Sequence, residues 1–116
     1  MKDFPSFMKN PKNKINQSNQ YTKDIEGYVF DGADGSQMAF WTCYANRKSA
    51  EHTHEYDEYI VCVYGQYDLM MNGEVIALKP GDEVLIPKGT AHSCERIIAG
   101  TRTIHAFGGK RAEREE

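Results

Sequence analysis

The stretch His52-Thr53-His54-Glu55-Tyr56-Asp57-Glu58, together with Gly81-Asp82-Glu83-Val84-Leu85-Ile86-Pro87-Lys88-Gly89-Thr90-Ala91-His92 further along, decides how this chain is read. Two imidazoles at i and i+2 lie on the same face of an extended strand, where they can grip one ion. Glu58 follows at the start of the next apolar run, and a short turn would return its carboxylate to the two rings as a third ligand. In the second stretch a strand, a Pro/Gly turn and a histidine follow one another, which makes His92 the fourth candidate.

On either side of these stretches, turn signals recur every 8 to 12 residues or so, and the segments between them are rich in Val, Ile, Tyr, Phe and Thr with frequent alternation. The expected strands are Gly27 to Asp31, Gln37 to Ala45, Ser49 to His54, Glu58 to Tyr64, Tyr67 to Met71, Glu74 to Leu78, Glu83 to Ile86, His92 to Arg96 and Thr101 to Phe107. They predict an all-β sandwich or barrel. Asp34-Gly35, Asn72-Gly73, Pro80-Gly81 and Lys88-Gly89 supply the turns, Asn72-Gly73 being the strongest hairpin signal. No apolar period of 3.6 residues extends over three turns, so a recognition helix is not expected.

The 116 residues suit one domain, and 40% hydrophobic with 27% charged residues is the composition of a globular protein. Three regions are distinguished: a polar arm over 1–23, a barrel domain over 24–109 and a charged tail over 110–116. The arm carries Phe4, Phe7 and Met8 as its main apolar points, and either stays disordered or lies across the domain or a neighbouring subunit. The tail, all charge except Ala112, is expected to be solvated. The net charge of −3 combines a basic arm with an acidic remainder and does not favour nucleic acid as a partner. No apolar stretch approaches the roughly 20 residues of a membrane span. No secretory h-region is visible, and Cys43, Cys62 and Cys94 form no CxxC pair. Reduced thiols in the cytoplasm are expected.

The two stretches resemble the motifs of the cupin superfamily. His52, His54, Glu58 and the closing Gly65 match the first motif in spacing, with Asn46 where that motif has its leading glycine. Gly81, Pro87, Gly89 and His92 match the second, with Arg96 in the position of its asparagine. With Gln66 to Pro80 between them, the motifs cover about half of the barrel. The resemblance implies a jelly-roll β-barrel of antiparallel strands, a divalent ion held by His52, His54, Glu58 and His92, and a homodimer. The donor set agrees, because neutral imidazole and carboxylate suit Fe, Mn, Ni, Zn or Cu, and no thiolate takes part. Four protein ligands on a six-coordinate ion leave about two positions for a small-molecule ligand or substrate.

Strand parity extends the reading. If Glu58 faces inward, so do Ile60, Cys62 and Tyr64, and His92 carries Cys94 and Arg96 to its side unless a bulge intervenes. Tyr64 is a candidate proton donor or substrate partner, or else a buried tyrosine with a satisfied hydroxyl. Arg96 either clamps a substrate anion or pairs with Glu95 or solvent at the strand end. Cys62 and Cys94 read as small core residues, and His105 as a satisfied histidine outside the ligand set. Trp41 reads as core, dimer interface or pocket wall. The functional expectation is a metal-dependent enzyme of oxygenase, lyase or isomerase type on a small polar or anionic molecule; the alternative is a module that binds a small ligand without turnover.

Overall fold

A computed structural model describes residues 1–115; Glu116, the last residue of the expected tail, lies outside the described residues. Eight strands form two antiparallel sheets: β1 (Ile25–Asp31), β2 (Gln37–Cys43), β3 (Glu58–Tyr64), β4 (Tyr67–Met71), β5 (Glu74–Leu78), β6 (Glu83–Ile86), β7 (His92–Ile97) and β8 (Arg102–Phe107). One sheet has the order β1-β2-β8-β3-β6 and the other β5-β4-β7. Ile60, Cys62 and Ile86 of the first pack on Leu69 and Leu78 of the second, which makes the jelly-roll sandwich core. Among the described residues no helix is long and apolar enough to cross a membrane.

Eight of the nine expected strands are present. The ninth, Ser49 to His54, is extended chain joined to β7 only at points: Ser49 N–H donates to the Cys94 carbonyl at 3.0 Å, and His52 pairs with His92 as an isolated bridge. Asn72 and Gly73 both have positive φ, 54° and 76°, the type I′ geometry that closes β4 onto β5.

The arm lies across its own barrel. Phe4 packs on Tyr28 and Phe40, while Ile15 enters a second cluster with Trp41, Phe107 and Ala112. The expectation of a solvated tail is corrected: Ala112 is only 2% exposed. The reason is backbone pairing. Asn16 N–H donates to the Glu113 carbonyl and Glu115 N–H to the Lys14 carbonyl, both at 2.8 Å. The resulting arm–tail ribbon turns Ala112 into the core, while Lys110 and Glu113 face water.

Two register shifts decide which side chains face inward. Between Cys62 and Tyr64 the pairing of β3 with β8 slips by one residue, and between Cys94 and Arg96 the pairing of β7 with β4 does the same. Each extra residue, Val63 and Glu95, reverses the facing of the side chains after it in its strand.

Gly65 ends β3 at φ +82°, and a Cβ there would fall 2.3 Å from Thr101 Oγ1 and 2.8 Å from Thr101 Cα. The second neighbour is backbone and cannot swing aside. Gly65→Ala is therefore expected to lower the unfolding free energy by at least about 1–2 kcal/mol, the left-handed penalty alone. Chemical denaturation checks this, and a change within about 0.5 kcal/mol, the range of an ordinary surface substitution, would contradict it.

Candidate metal centre

The site is assembled by one backbone joint. His52 N–H donates to the His92 carbonyl at 2.9 Å, and His92 N–H returns the bond to the His52 carbonyl at 3.0 Å. Both rings project to the same side of that joint, with centroids 4.3 Å apart. Two residues on, the His54 carbonyl accepts from Gly89 N–H at 2.9 Å, which ties the other end of the HxH segment to the Pro87-Lys88-Gly89 turn. Glu58 enters from the first position of β3, only 4% exposed.

Hydrogen bonds behind the rings determine what they present in front. The Ala50 carbonyl lies 2.8 Å from His52 Nδ1 and the Thr90 carbonyl 3.0 Å from His92 Nδ1. A carbonyl only accepts, so both Nδ1 atoms carry the proton, and in the neutral rings both Nε2 atoms keep a free lone pair. Tyr56 takes the same place behind His54, its hydroxyl 3.2 Å from Nδ1; burial raises the Tyr56 pKa to about 12, so the hydroxyl stays protonated at neutral pH. Burial lowers the His52 pKa to about 4, which leaves that ring in the neutral form a metal requires. For Glu58 burial opposes ionisation, and the hydrogen bond from His105 is the largest of the contacts that outweigh it and hold the carboxyl below its ordinary range.

The fronts of these groups have no partner among the described residues. His54 Nε2, His92 Nε2 and Glu58 Oε1 are buried without a hydrogen bond. Each Nε2 stands 3.4 Å from Glu58 Oε1, long for a hydrogen bond and close to the roughly 3–3.4 Å between neighbouring ligand atoms on an ion with ~2.1 Å bonds. One ring nitrogen from each of His52, His54 and His92 lies within 4.8 Å of the others. Buried lone pairs without donors are costly, and a divalent cation answers all of them at once, so these residues fit the ion.

The cluster opens into a cavity of about 60 Å³ walled by Trp41, Tyr67 and Phe107, with Tyr21 and Arg111 on its lining. That is room for roughly four or five water-sized groups. Tyr21 stacks on the His52 ring, 3.9 Å between centroids and 9° between planes.

The structure brings His52, His54, Glu58 and His92 together but leaves two expected residues outside. Tyr64 is 53% exposed, beneath the Arg102 guanidinium rather than in the cavity. Arg96 is also turned out, its side chain 59% exposed and paired with Asp68 at 3.2 Å. In both cases the extra residue, Val63 or Glu95, breaks the parity. Trp41 does line the cavity, and Cys62 and Cys94 are buried core residues. Arg111 and Tyr21 lie outside the strands and motifs that the sequence reading follows: the tail reads as solvated, with Ala112 its one apolar signal, and the arm reads only as disordered or lying across the domain or a neighbouring subunit.

A family model for the cupin domain matches residues 39–105, more than half of the chain, and the chain belongs to the cupin family. No curated protein matches it. Among solved structures it resembles KdgF from Halomonas sp. at 19% identity and TM-score 0.69, covering 84% of this chain and 94% of that one. It also resembles an RmlC-like cupin from Shewanella frigidimarina, 14% identical with TM-score 0.72 and 86% of each chain covered. A third is the polyketide cyclase RemF from Streptomyces resistomycificus, 21% identical with TM-score 0.65, covering 78% of this chain and 69% of that one. At such identities the shared feature is the fold.

The site predicts one equivalent of divalent metal per chain. Elemental analysis after loading with Fe(II), Mn(II) or Zn(II) and desalting should find it, and the His52→Ala, His54→Ala double variant should hold none. A full equivalent retained at the same site by the double variant would refute the assignment.

Proposed function

We propose that this cupin holds one divalent ion on His52, His54, Glu58 and His92 and acts as a metal-dependent enzyme on a small anionic molecule. When bound, such an ion polarises an oxygen of the ligand as a Lewis acid, a role shared by oxygenase, lyase and isomerase chemistry. The observation that carries the reading is the convergence of buried, unpartnered donor atoms on a cavity that also contains a guanidinium. A cavity of about 60 Å³ restricts the reacting part of the ligand to a few heavy atoms.

Arg111 supports the anionic preference. Its guanidinium packs 4.7 Å from the Tyr21 ring centroid, 5.5 Å from that of Trp41 and 5.9 Å from that of Phe107. Its Nη1 donates to the Asn19 carbonyl at 2.7 Å, and no carboxylate among the described residues pairs with it within 4 Å. The rings hold the side chain in place while donors remain unused, and a ligand carboxylate or phosphate can accept from them. The function that parity assigned to Arg96 thus passes to an arginine of the C-terminal segment.

The same proposal includes a homodimer. Phe30, Met38, Ala106, Tyr59 and Leu85 are successive cross-strand partners and form one apolar rung across all five strands of the larger sheet. Met38 and Leu85 are more than half exposed. A second copy pairing face to face would cover this rung on both subunits at once, as twofold association requires.

Two measurements test these readings. Calorimetric titration of the metal-loaded protein with small carboxylates should show Arg111→Met weakening binding by roughly 10–150-fold, the equivalent of about 1.5–3 kcal/mol for a charged hydrogen bond. Arg96→Gln should leave it unchanged, and equal affinities for wild type and Arg111→Met would remove the arginine from the site. For the dimer, sedimentation equilibrium at tens of micromolar, roughly the range for a standard interface, should give twice the chain mass, and Leu85→Glu should give the monomer. A monomeric wild type would end that part of the proposal.

A further inference from the structure

Three of the four histidines meet at the candidate metal centre; the fourth, His105 on β8, is buried beside it. In the register of β3 with β8, His105 is opposite Ile60 and Phe107 opposite Glu58, so His105 is the diagonal neighbour of the carboxylate on the inner face. Its Nδ1 is 2.8 Å from Glu58 Oε2, and its Nε2 is 2.8 Å from Thr103 Oγ1. An ionised carboxylate only accepts, so Nδ1 carries the proton, Nε2 is the acceptor, and the Thr103 hydroxyl donates to it. The Trp41 ring meets His105 edge-on at 4.7 Å and that of Phe107 lies nearly parallel to it at 5.9 Å. Both ring nitrogens are engaged and the ring is held by packing, so His105 has nothing left to offer an ion.

The two oxygens of Glu58 are consequently unequal. Oε2 is occupied by His105, whereas Oε1 is buried, faces His54 and His92, and lacks a partner among the described residues. We infer that His105, oriented by Thr103, is a positioning residue that restricts Glu58 to a one-oxygen grip on the ion. This rests on the proposed metal site and specifies what that site accepts. Three imidazoles and one oxygen on a six-coordinate ion leave two positions open, so the site takes ligands that present two donor oxygens. Without the His105 bond, Oε2 is free to turn to the ion and occupy one of those positions.

Cobalt(II) is the probe, because its visible absorption reports coordination number. The protein is loaded with Co(II) and titrated with acetohydroxamate, which has two donor oxygens, and with azide, which binds through one nitrogen. His105→Leu is expected to bind Co(II) roughly 10–100-fold more weakly, as for other groups that orient metal ligands. It should also show a shifted visible spectrum and lose more affinity for hydroxamate than for azide. His105→Asn, whose amide N–H stands near the position of Nδ1, should restore the spectrum and the hydroxamate preference. Should His105→Leu fail to fold, His105→Gln, which keeps a polar group toward Thr103 but none at Nδ1, is expected to show the same defects. Loss of hydroxamate and azide binding in equal proportion, or an unmoved spectrum in the variant lacking the Nδ1 donor, would overturn the positioning role while leaving the metal site intact. A wild-type protein that binds no Co(II) would instead refute the metal site and this role with it.

Discussion

The pair of backbone hydrogen bonds between His52 and His92 is the joint on which the site depends. It fastens two remote parts of the chain, the HxH segment and the first residue of β7, and it does so with main-chain atoms that leave both imidazoles free. Short reciprocal bonds of this kind fix the distance between strands at about 5 Å, so two rings leaving the same side must come close. Glu58 then needs only to begin the next strand on the inner face. Side-chain bonds add orientation to this placement: the carbonyls of Ala50 and Thr90 set the protonated nitrogen of their histidines from behind.

The cluster of side chains is an energetic compromise. A carboxylate as buried as Glu58 has lost most of its hydration, which disfavours its charge. The bond from His105 compensates on one oxygen only, and the other faces two imidazole nitrogens at 3.4 Å without a hydrogen bond. A barrel interior built for stability alone would place aliphatic groups there, as it does a few residues away at Ile60, Leu69 and Ile86. The exception lies where the cavity opens, which is where conflict between local stability and function is expected.

The legible part of the molecule is the part governed by local geometry. Turn residues and alternating apolar residues located the strands that exist, and the spacing of His52, His54, Glu58 and His92 located the cluster, because each depends on a few consecutive dihedral angles. Parity held along β3 through Cys62 and along β7 through Cys94, then failed at Tyr64 and Arg96. A one-residue bulge depends on the partner strand, and neither Val63 nor Glu95 has a side chain that announces one. The extended segment before His54 has the composition of a strand but obtains only isolated bridges. The tail hid its role for a different reason: burial of one alanine among charged neighbours is decided by the arm it pairs with, and that contact spans nearly the whole chain.

That long-range contact separates two tasks in this cupin. The ligand-bearing residues stand on the barrel and its connecting turns, whereas the groups that would meet the far side of a ligand, Tyr21 and Arg111, come from the segments flanking the barrel. Gln37 joins the two: its side-chain oxygen accepts from Arg111 N–H at 2.6 Å and from Ala112 N–H at 3.0 Å, while its amide donates to Asp31 and to the Ala112 carbonyl. These bonds are buried or partly buried and close a ring between β1, β2 and the tail, so the Arg111 backbone is as firmly placed as a strand residue although it belongs to none. Its guanidinium, packed against the Tyr21, Trp41 and Phe107 rings, would have little rotamer freedom left to lose to the proposed anionic ligand. On the proposed reading a change at Arg111 would alter the ligand preference and leave the backbone joint between His52 and His92 in place, since that joint involves neither flanking segment, whereas Tyr21, stacked on the His52 ring, serves both tasks.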